Sequence, residues 1–439
     1  MGVRVGYMDF SRFSSIGLFL GFATLSFAQA TSESVLNRLT TRVDVLLKVD
    51  QPPLFAWHLR SVKALALAEY AKLGLGVDQS ARQTVAMREK EFIECVGRMA
   101  DGLDGDAANP DGYLKEGRRA LVLARPSAID GTLQWTMVGL PKGWDPNRAY
   151  PLFVNLHGTG PDHPLAYPSF VFLPPSPPSA EPPKYPMPDM ISLTPWGRGN
   201  RGWRNDAERD MFEAIRQLQT FAKTDPDRWY LTGHAGADGA WAIVQHTPDL
   251  WASAGMQSGS MLAGRPEWGL VPNMIHVPMH LLIGAKDNLP NRVPDTKEAY
   301  RLLTEAGDEA KLVILPDSGH YPLTDEGVAE HCAWIASHIR KRPDKFSFTV
   351  DEANHSGIWG IRVLLDSRGT RLIKEPWPQF EVEIKGDEVR MNTTNVKNLS
   401  VDLGPGGLQM TGVVRLWVNG KKVHDGPVPK ESVMVKDLR

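Results

Sequence analysis

The chain has 439 residues, 42% of them hydrophobic and 23% charged, an ordinary globular balance that excludes wholesale disorder. Its 49 basic and 51 acidic side chains give a formal charge of −2, with no footprint for nucleic acid or an anionic membrane. Cys95 and Cys332 are the two cysteines, which excludes a disulfide scaffold and any cysteine-built zinc cluster.

In chain order, Arg4 and Arg12 precede an apolar run from Ile16 to Ala28, and Ala28-Gln29-Ala30 follows. A basic start, a short apolar stretch and an A-x-A end predict a signal peptide over residues 1–30, cleaved after Ala30. The run is too short to span a bilayer comfortably. The expectation is a secreted or periplasmic protein with no membrane association after signal removal.

Residues 31–125 read as a helical region. Phe55, Leu59, Val62, Leu65 and Leu67 recur at helical spacing before Gly74-Leu75-Gly76, and a second helix is predicted from Asp78 to Met99. Residues 126–342 change character. Strands are predicted at Leu133–Leu140, Tyr150–Leu156, Met190–Thr194, Trp229–Thr232, Met279–Ile283 and Leu312–Leu315. Helices are predicted at Ala207–Lys223, Thr296–Ala306 and Thr324–Lys341. Such alternation implies an α/β fold on a mainly parallel sheet. A Pro-rich loop interrupts it over 164–188, with ten prolines in 25 residues, which forbids helix or inner strand. Residues 345–439 predict a small antiparallel β domain, from the alternation of Phe380–Ile384 and a tight hairpin at Asn419-Gly420.

A serine hydrolase needs a nucleophile at a sharp strand-to-helix turn flanked by glycines, a histidine to take its proton, and an acid to orient that histidine. Backbone N–H groups must also face the developing oxyanion. Gly233–Ala237 supplies such an elbow after the Trp229–Thr232 strand, and Asp287 and His320 follow later strands in the order acid then base. His157-Gly158-Thr159-Gly160 follows an early strand, where one oxyanion donor is expected.

These landmarks, with Asp130-Gly131-Thr132, Trp196-Gly197-Arg198-Gly199 and Asp225–Trp241, resemble the α/β-hydrolase superfamily. The likeness covers about half the chain. It is closest to secreted esterases of the polyhydroxybutyrate depolymerase and feruloyl esterase type, and to prolyl oligopeptidase-like domains. The resemblance implies an α/β-hydrolase core with helices on both faces, Asp287 and His320 as acid and base, and Gly158, Thr159 and Gly236 at the oxyanion. It implies no cofactor.

The serine itself is missing. Alignment on Thr232-Gly233-His234 puts Ala235 at the nucleophile position; alignment back from Gly239-Ala240-Trp241 puts His234 there. The expectation is therefore a pseudoenzyme that binds an ester, saccharide or peptide, as a small molecule or polymer, in the old cleft. Two alternatives stay open: an active hydrolase using water or another nucleophile with His320 and Asp287, or a deliberate serine-to-alanine exchange. Trp203, Arg198 and Arg201 are candidate substrate-binding residues, since arginine beside tryptophan suits a carboxylate or a sugar. Asp317 is a lesser candidate acid. The histidines occur singly in sequence, so no metal site is expected.

Overall fold

The computed structural model describes residues 30–73, 89–106, 110, 114, 120–158, 165, 189–199, 202–259, 266–321, 323–365 and 376–438. All but the last residue of the expected signal peptide, nearly all of the Pro-rich loop, Thr159 and Arg201 lie outside them. Among the described residues, no helix is long and apolar enough to cross a membrane.

Among the described residues the first elements are the helices α1 (Ser32–Leu46), α2 (Pro53–Tyr70) and α3 (Glu89–Asp106). Thr31 caps α1 in a reciprocal pair with Ser34, and α2 has proline in its first turn, where a missing N–H costs nothing. The third helix runs on beyond Met99, and residues 78–88 of its expected start lie outside the described set. The expectation of helix up to about 125 is corrected: Ala120–Pro126 is strand β1. Its apolar run Leu121-Val122-Leu123-Ala124 fits a buried strand or a helix segment equally well, and pairing with the next strand decides.

β1 is the edge of an eight-stranded sheet, and α2 covers that edge. The Val122 N–H donates to His58 Nδ1 at 2.9 Å and the Ala124 N–H to Ser61 Oγ at 2.8 Å. Ladder groups that would otherwise be unpaired are thereby satisfied from a helix. The helices share one apolar core with the sheet.

The other strands are β2 (Leu133–Gly139), β3 (Ala149–Leu156), β4 (Ile191–Pro195), β5 (Lys223–His234), β6 (Ser253–Gln257), β7 (Met279–Gly284) and β8 (Ala310–Leu315). Their order is β1-β2-β4-β3-β5-β6-β7-β8; β2 runs antiparallel to both neighbours, and β3 through β8 are parallel. This is the α/β-hydrolase fold. Among the described residues, the α-helices that flank it are α4 (Asp206–Leu218), α5 (Ala237–His246), α6 (Arg292–Ala306) and α7 (Asp325–Ala336). Alternating strand residues divide the core. Leu152, Leu231 and Leu281 pack with α4, α5 and α6, while Phe153, Tyr230 and Leu282 pack with α7 on the opposite face. α4 and α7 stop short of the ends expected from sequence, at Leu218 and Ala336.

The C-terminal region has its own core, between a five-stranded sheet and a three-stranded one. In order the strands are β9 (Lys345–Thr349), β10 (Ile361–Val363), β11 (Gln379–Lys385), β12 (Glu388–Thr394), β13 (Leu399–Val401), β14 (Val413–Val418), β15 (Lys421–Pro427) and β16 (Val433–Val435). The expected hairpin joins β14 to β15, with Asn419 and Gly420 both at positive φ, as a two-residue hairpin turn requires. The domain's strand pairs are antiparallel, as expected, except that β12 and β14 pair in parallel. Asn273 ties this domain to the hydrolase core: its amide donates to the Gln245 and Thr349 carbonyls and accepts from the Thr349 N–H at 2.8 Å.

Candidate active site

The elbow lies where β5 ends and α5 begins. Ala235 has φ +53°, a backbone conformation that L residues with a side chain rarely adopt. Its neighbours explain how the turn closes. A Cβ on Gly233 would lie 3.0 Å from the Gly236 carbonyl carbon, and one on Gly236 would lie 2.4 Å from the His157 oxygen. Gly158 is pressed against the same turn, since a Cβ there would meet the Ala235 Cβ at 2.6 Å. The loop after β3 and the elbow thus interlock backbone to backbone. Of the two sequence alignments, the geometry puts Ala235 at the strained position, and His234 is the last residue of β5.

The Gly236 N–H donates to the His234 carbonyl at 2.5 Å, closing the turn around Ala235. This corrects the expectation of a free oxyanion donor at Gly236, because its N–H is turned back into the elbow. Gly158 ends the described part of the early loop. His157 beside it is buried, with Nδ1 2.7 Å from the Gly158 carbonyl and Nε2 3.1 Å from that of Trp196. Burial lowers its pKa.

Asp287 and His320 come together. Strand β7 ends at Gly284 and the turn after it carries Asp287; the loop between β8 and α7 carries His320. The two loops are stitched by the backbone, from Ala285 N–H to the Leu315 carbonyl and from Lys286 N–H to that of Ser318. Gly284 permits this approach, since a Cβ there would lie 2.2 Å from the Gly319 oxygen. The His320 Nδ1 stands 2.9 Å from the Asp287 Oδ2, and the Asp287 side chain is fully buried. In the neutral ring, the tautomer that donates Nδ1–H to this carboxylate has its lone pair on Nε2. Oδ1 of Asp287 accepts the Leu289 N–H at 3.1 Å, so the acid is oriented from both oxygens.

His234 and Ser258 hold the histidine's backbone. His234 Nε2 lies 3.0 Å from the His320 carbonyl, and its own pKa is lowered, chiefly by burial. The Ser258 hydroxyl donates to the same carbonyl at 3.0 Å. Ser258 is fully buried, which suits a strut and not an attacking group. Arg292, at the start of α6, pairs with Asp238 in the first turn of α5 at 2.7 Å. Nothing in the local sequence marked Ser258 or Arg292; the one follows a strand of small residues, the other opens an ordinary helix. Asp317 faces Lys286 at 2.9 Å, exposed and apart from His320.

The expected substrate-binding group is corrected. The Arg198 guanidinium bonds the Asp210 and Asp130 carboxylates and, at 3.0 Å, the Ser127 hydroxyl. Its side chain is 10% exposed. Arg198 thereby joins the two motifs Asp130-Gly131-Thr132 and Trp196-Gly197-Arg198 to the start of α4. Trp203 is buried: its indole N–H donates to the His157 carbonyl at 2.8 Å, and a Cβ on Gly197 or Gly239 would strike its side chain. Both residues pack the protein on itself.

No family model matches the chain, and no curated protein matches it. Solved structures similar to it include a thermostable esterase, at 20% identity and TM-score 0.37, covering 51% of this chain and 60% of that one. Others are a CE1 ferulic acid esterase from Anaeromyces mucronatus (16% identity, TM-score 0.36, 52% of this chain and 95% of that one) and an S-formylglutathione hydrolase from Agrobacterium tumefaciens (15%, 0.36, 51% and 96%). Each likeness covers about half of this chain.

Proposed function

We propose that this chain is an exported hydrolase-fold protein of the serine esterase or peptidase lineage in which Ala235 stands where the nucleophile would be. It binds an ester, saccharide or peptide ligand at the carboxyl end of the sheet, beside Asp287 and His320. The observation that carries this reading is the strain kept at Ala235. Positive φ costs an alanine on the order of 1–2 kcal/mol, and a methyl group gains nothing from being projected off a sharp turn. The hydrogen-bonded Asp287–His320 pair supports the same lineage. The basic, apolar and A-x-A sequence of the first thirty residues supports export.

The experiment is hydrolysis of short and long p-nitrophenyl esters by the natural chain and by Ala235→Ser, with calorimetric ligand screens on the natural chain. The expected result is silence from the natural chain and a gain of up to about 10⁶ in kcat for the serine variant, the factor lost when a serine hydrolase loses its serine. Enzyme-like turnover by the natural chain, abolished in His320→Ala, would replace this reading with a second one. In that one, His320 Nε2, left with its lone pair by the Asp287 bond, activates water directly. Screens that find no ligand would count against the binding role.

A further inference from the structure

The junction between the hydrolase core and the C-terminal domain buries a group of charges separate from Asp287 and His320. Glu208 lies in the first turn of α4, His246 is the last residue of α5, and Asp351 and His355 lie in the stretch after β9. His246 is set between the two carboxylates. Its Nδ1 is 3.6 Å from Glu208 Oε1, and its Nε2 is 3.6 Å from Asp351 Oδ1. The side chains of Glu208, His246 and Asp351 are 4%, 5% and 10% exposed. His355 stacks on the same ring, with centroids 4.4 Å apart and planes 11° from parallel, and its Nε2 reaches Glu208 Oε1 at 3.2 Å.

A neutral imidazole has one N–H and one lone pair. Here a carboxylate faces each ring nitrogen, so a neutral ring would turn its lone pair on an anion and leave a buried carboxylate without a counter-charge. The imidazolium offers an N–H to both. The helices favour the same charges, since Glu208 sits at the positive end of α4 and His246 at the negative end of α5. We propose that a proton holds the C-terminal domain to the hydrolase core: the His246 imidazolium, clamped between Glu208 of the core and Asp351 of the C-terminal domain, closes the junction, and loss of its proton loosens it. Burial opposes the charge on His246, but Asp351 and Glu208 outweigh it and raise the pKa from 6.5 to about 10. Burial likewise opposes the charge on Glu208, and His246 and His355 outweigh it, holding the carboxyl well below 4.5. Glu352, half-buried in the same stretch, also acts on the group, and burial pushes its carboxyl up from 4.5. A group whose folded pKa is raised stabilises fully below its unfolded value and loses that effect as pH rises through the folded one. The His246 clamp is therefore at full strength up to pH 6.5 and fades from there to about 10. The contribution of Glu208 holds above 4.5 and is lost only as pH falls through its lowered value. α5 runs from the elbow to His246, so loosening the junction frees the end of that helix opposite the candidate site.

The test is hydrogen exchange on the whole chain from about pH 6 to 9.5, each rate divided by the intrinsic rate at that pH. The probes are two amides bonded across the junction, Thr349 N–H to Asn273 Oδ1 at 2.8 Å and Trp359 N–H to Asp249 Oδ2 at 2.9 Å. Their opening constant is expected to rise about tenfold per pH unit above 6.5, because opening releases one proton. His246→Gln should open more readily at pH 6 and lose the slope. Asp351→Asn removes one of the two anions and should end the rise at a lower pH. A junction that opens equally at pH 6 and pH 9, or a rise that survives His246→Gln unchanged, would overturn the proposal. If His246→Gln fails to fold, the slope in the natural chain and its earlier plateau in Asp351→Asn decide.

Discussion

Arg198 and His320 both pair with a buried aspartate beside the same sheet, yet they end in opposite conditions. Arg198 directs its guanidinium at Asp210, Asp130 and Ser127, and keeps little surface. His320 gives one ring nitrogen to Asp287 and retains the other, with 23% of its side chain exposed. A binding or catalytic group must keep capacity for something outside the protein. Arg198 has its partners inside, so its charge stabilises the fold; His320 has one partner inside, which serves to aim it.

The largest effect that would sharpen this contrast is on rate. In an Ala235→Ser background, Asp287→Asn should lower kcat by about 10⁴, the penalty for leaving the histidine in the wrong tautomer. Ester hydrolysis at saturating substrate measures it. An Asp287→Asn variant as fast as its parent would mean that the pair, though hydrogen-bonded, aims nothing.

The sequence shows residue types and spacing, and where those suffice the structure agrees. Apolar runs such as Tyr150–Leu156 and Met279–Ile283, in alternation with helical stretches, read as inner strands, and the order elbow, acid, histidine was read along them. β6 went unnoticed because Ser253-Ala254-Gly255-Met256-Gln257 has no branched or alternating pattern. Its small residues make room for a helix: a Cβ on Gly255 would meet His331 of α7 at 2.3 Å. Arg198 and Trp203 looked like ligand-binding residues because nothing in the local sequence says whether a charge has an internal partner; theirs are Asp130, Asp210 and the His157 carbonyl, 68, 12 and 46 residues away in the chain. The buried ion-pair group of Glu208, His246, His355 and Asp351 was illegible for the same reason, since its members lie on two helices and in the C-terminal domain.

A smaller effect tests the other half of the comparison. Arg198→Ala leaves Asp210, which is 2% exposed, without its guanidinium, and breaking such a buried pair costs about 3–5 kcal/mol. Urea unfolding at neutral pH measures it. The Asp130 carboxyl is held well below its ordinary pKa of 3.8, first by the Arg198 hydrogen bond and then by those from Thr132. A carboxyl with a depressed folded pKa adds stability above its unfolded pKa and loses it as pH falls through the folded value. The gap between the natural chain and Arg198→Ala should therefore hold from pH 7 down to about 4 and narrow only in stronger acid. A loss under 1 kcal/mol at neutral pH would show that Arg198 is not committed to the fold.

The smallest expected effect lies beside the largest. Lys286 and Asp317 sit on the same two loops as Asp287 and His320, and their 2.9 Å contact equals that of the buried pair. Distance alone would rank the two alike. Exposure separates them, since the side chains of Lys286 and Asp317 are 63% and 89% exposed while that of Asp287 is fully buried. A solvated pair of long side chains contributes about 0–1 kcal/mol, less at high salt, and holds nothing in place. Asp317→Asn should shift urea unfolding by less than about 1 kcal/mol and leave the rate of the serine variant within about twofold of its parent. A fall in that rate comparable to the effect of Asp287→Asn would make Asp317 the acid in solution, and the contrast between aimed and idle carboxylates on these loops would fail.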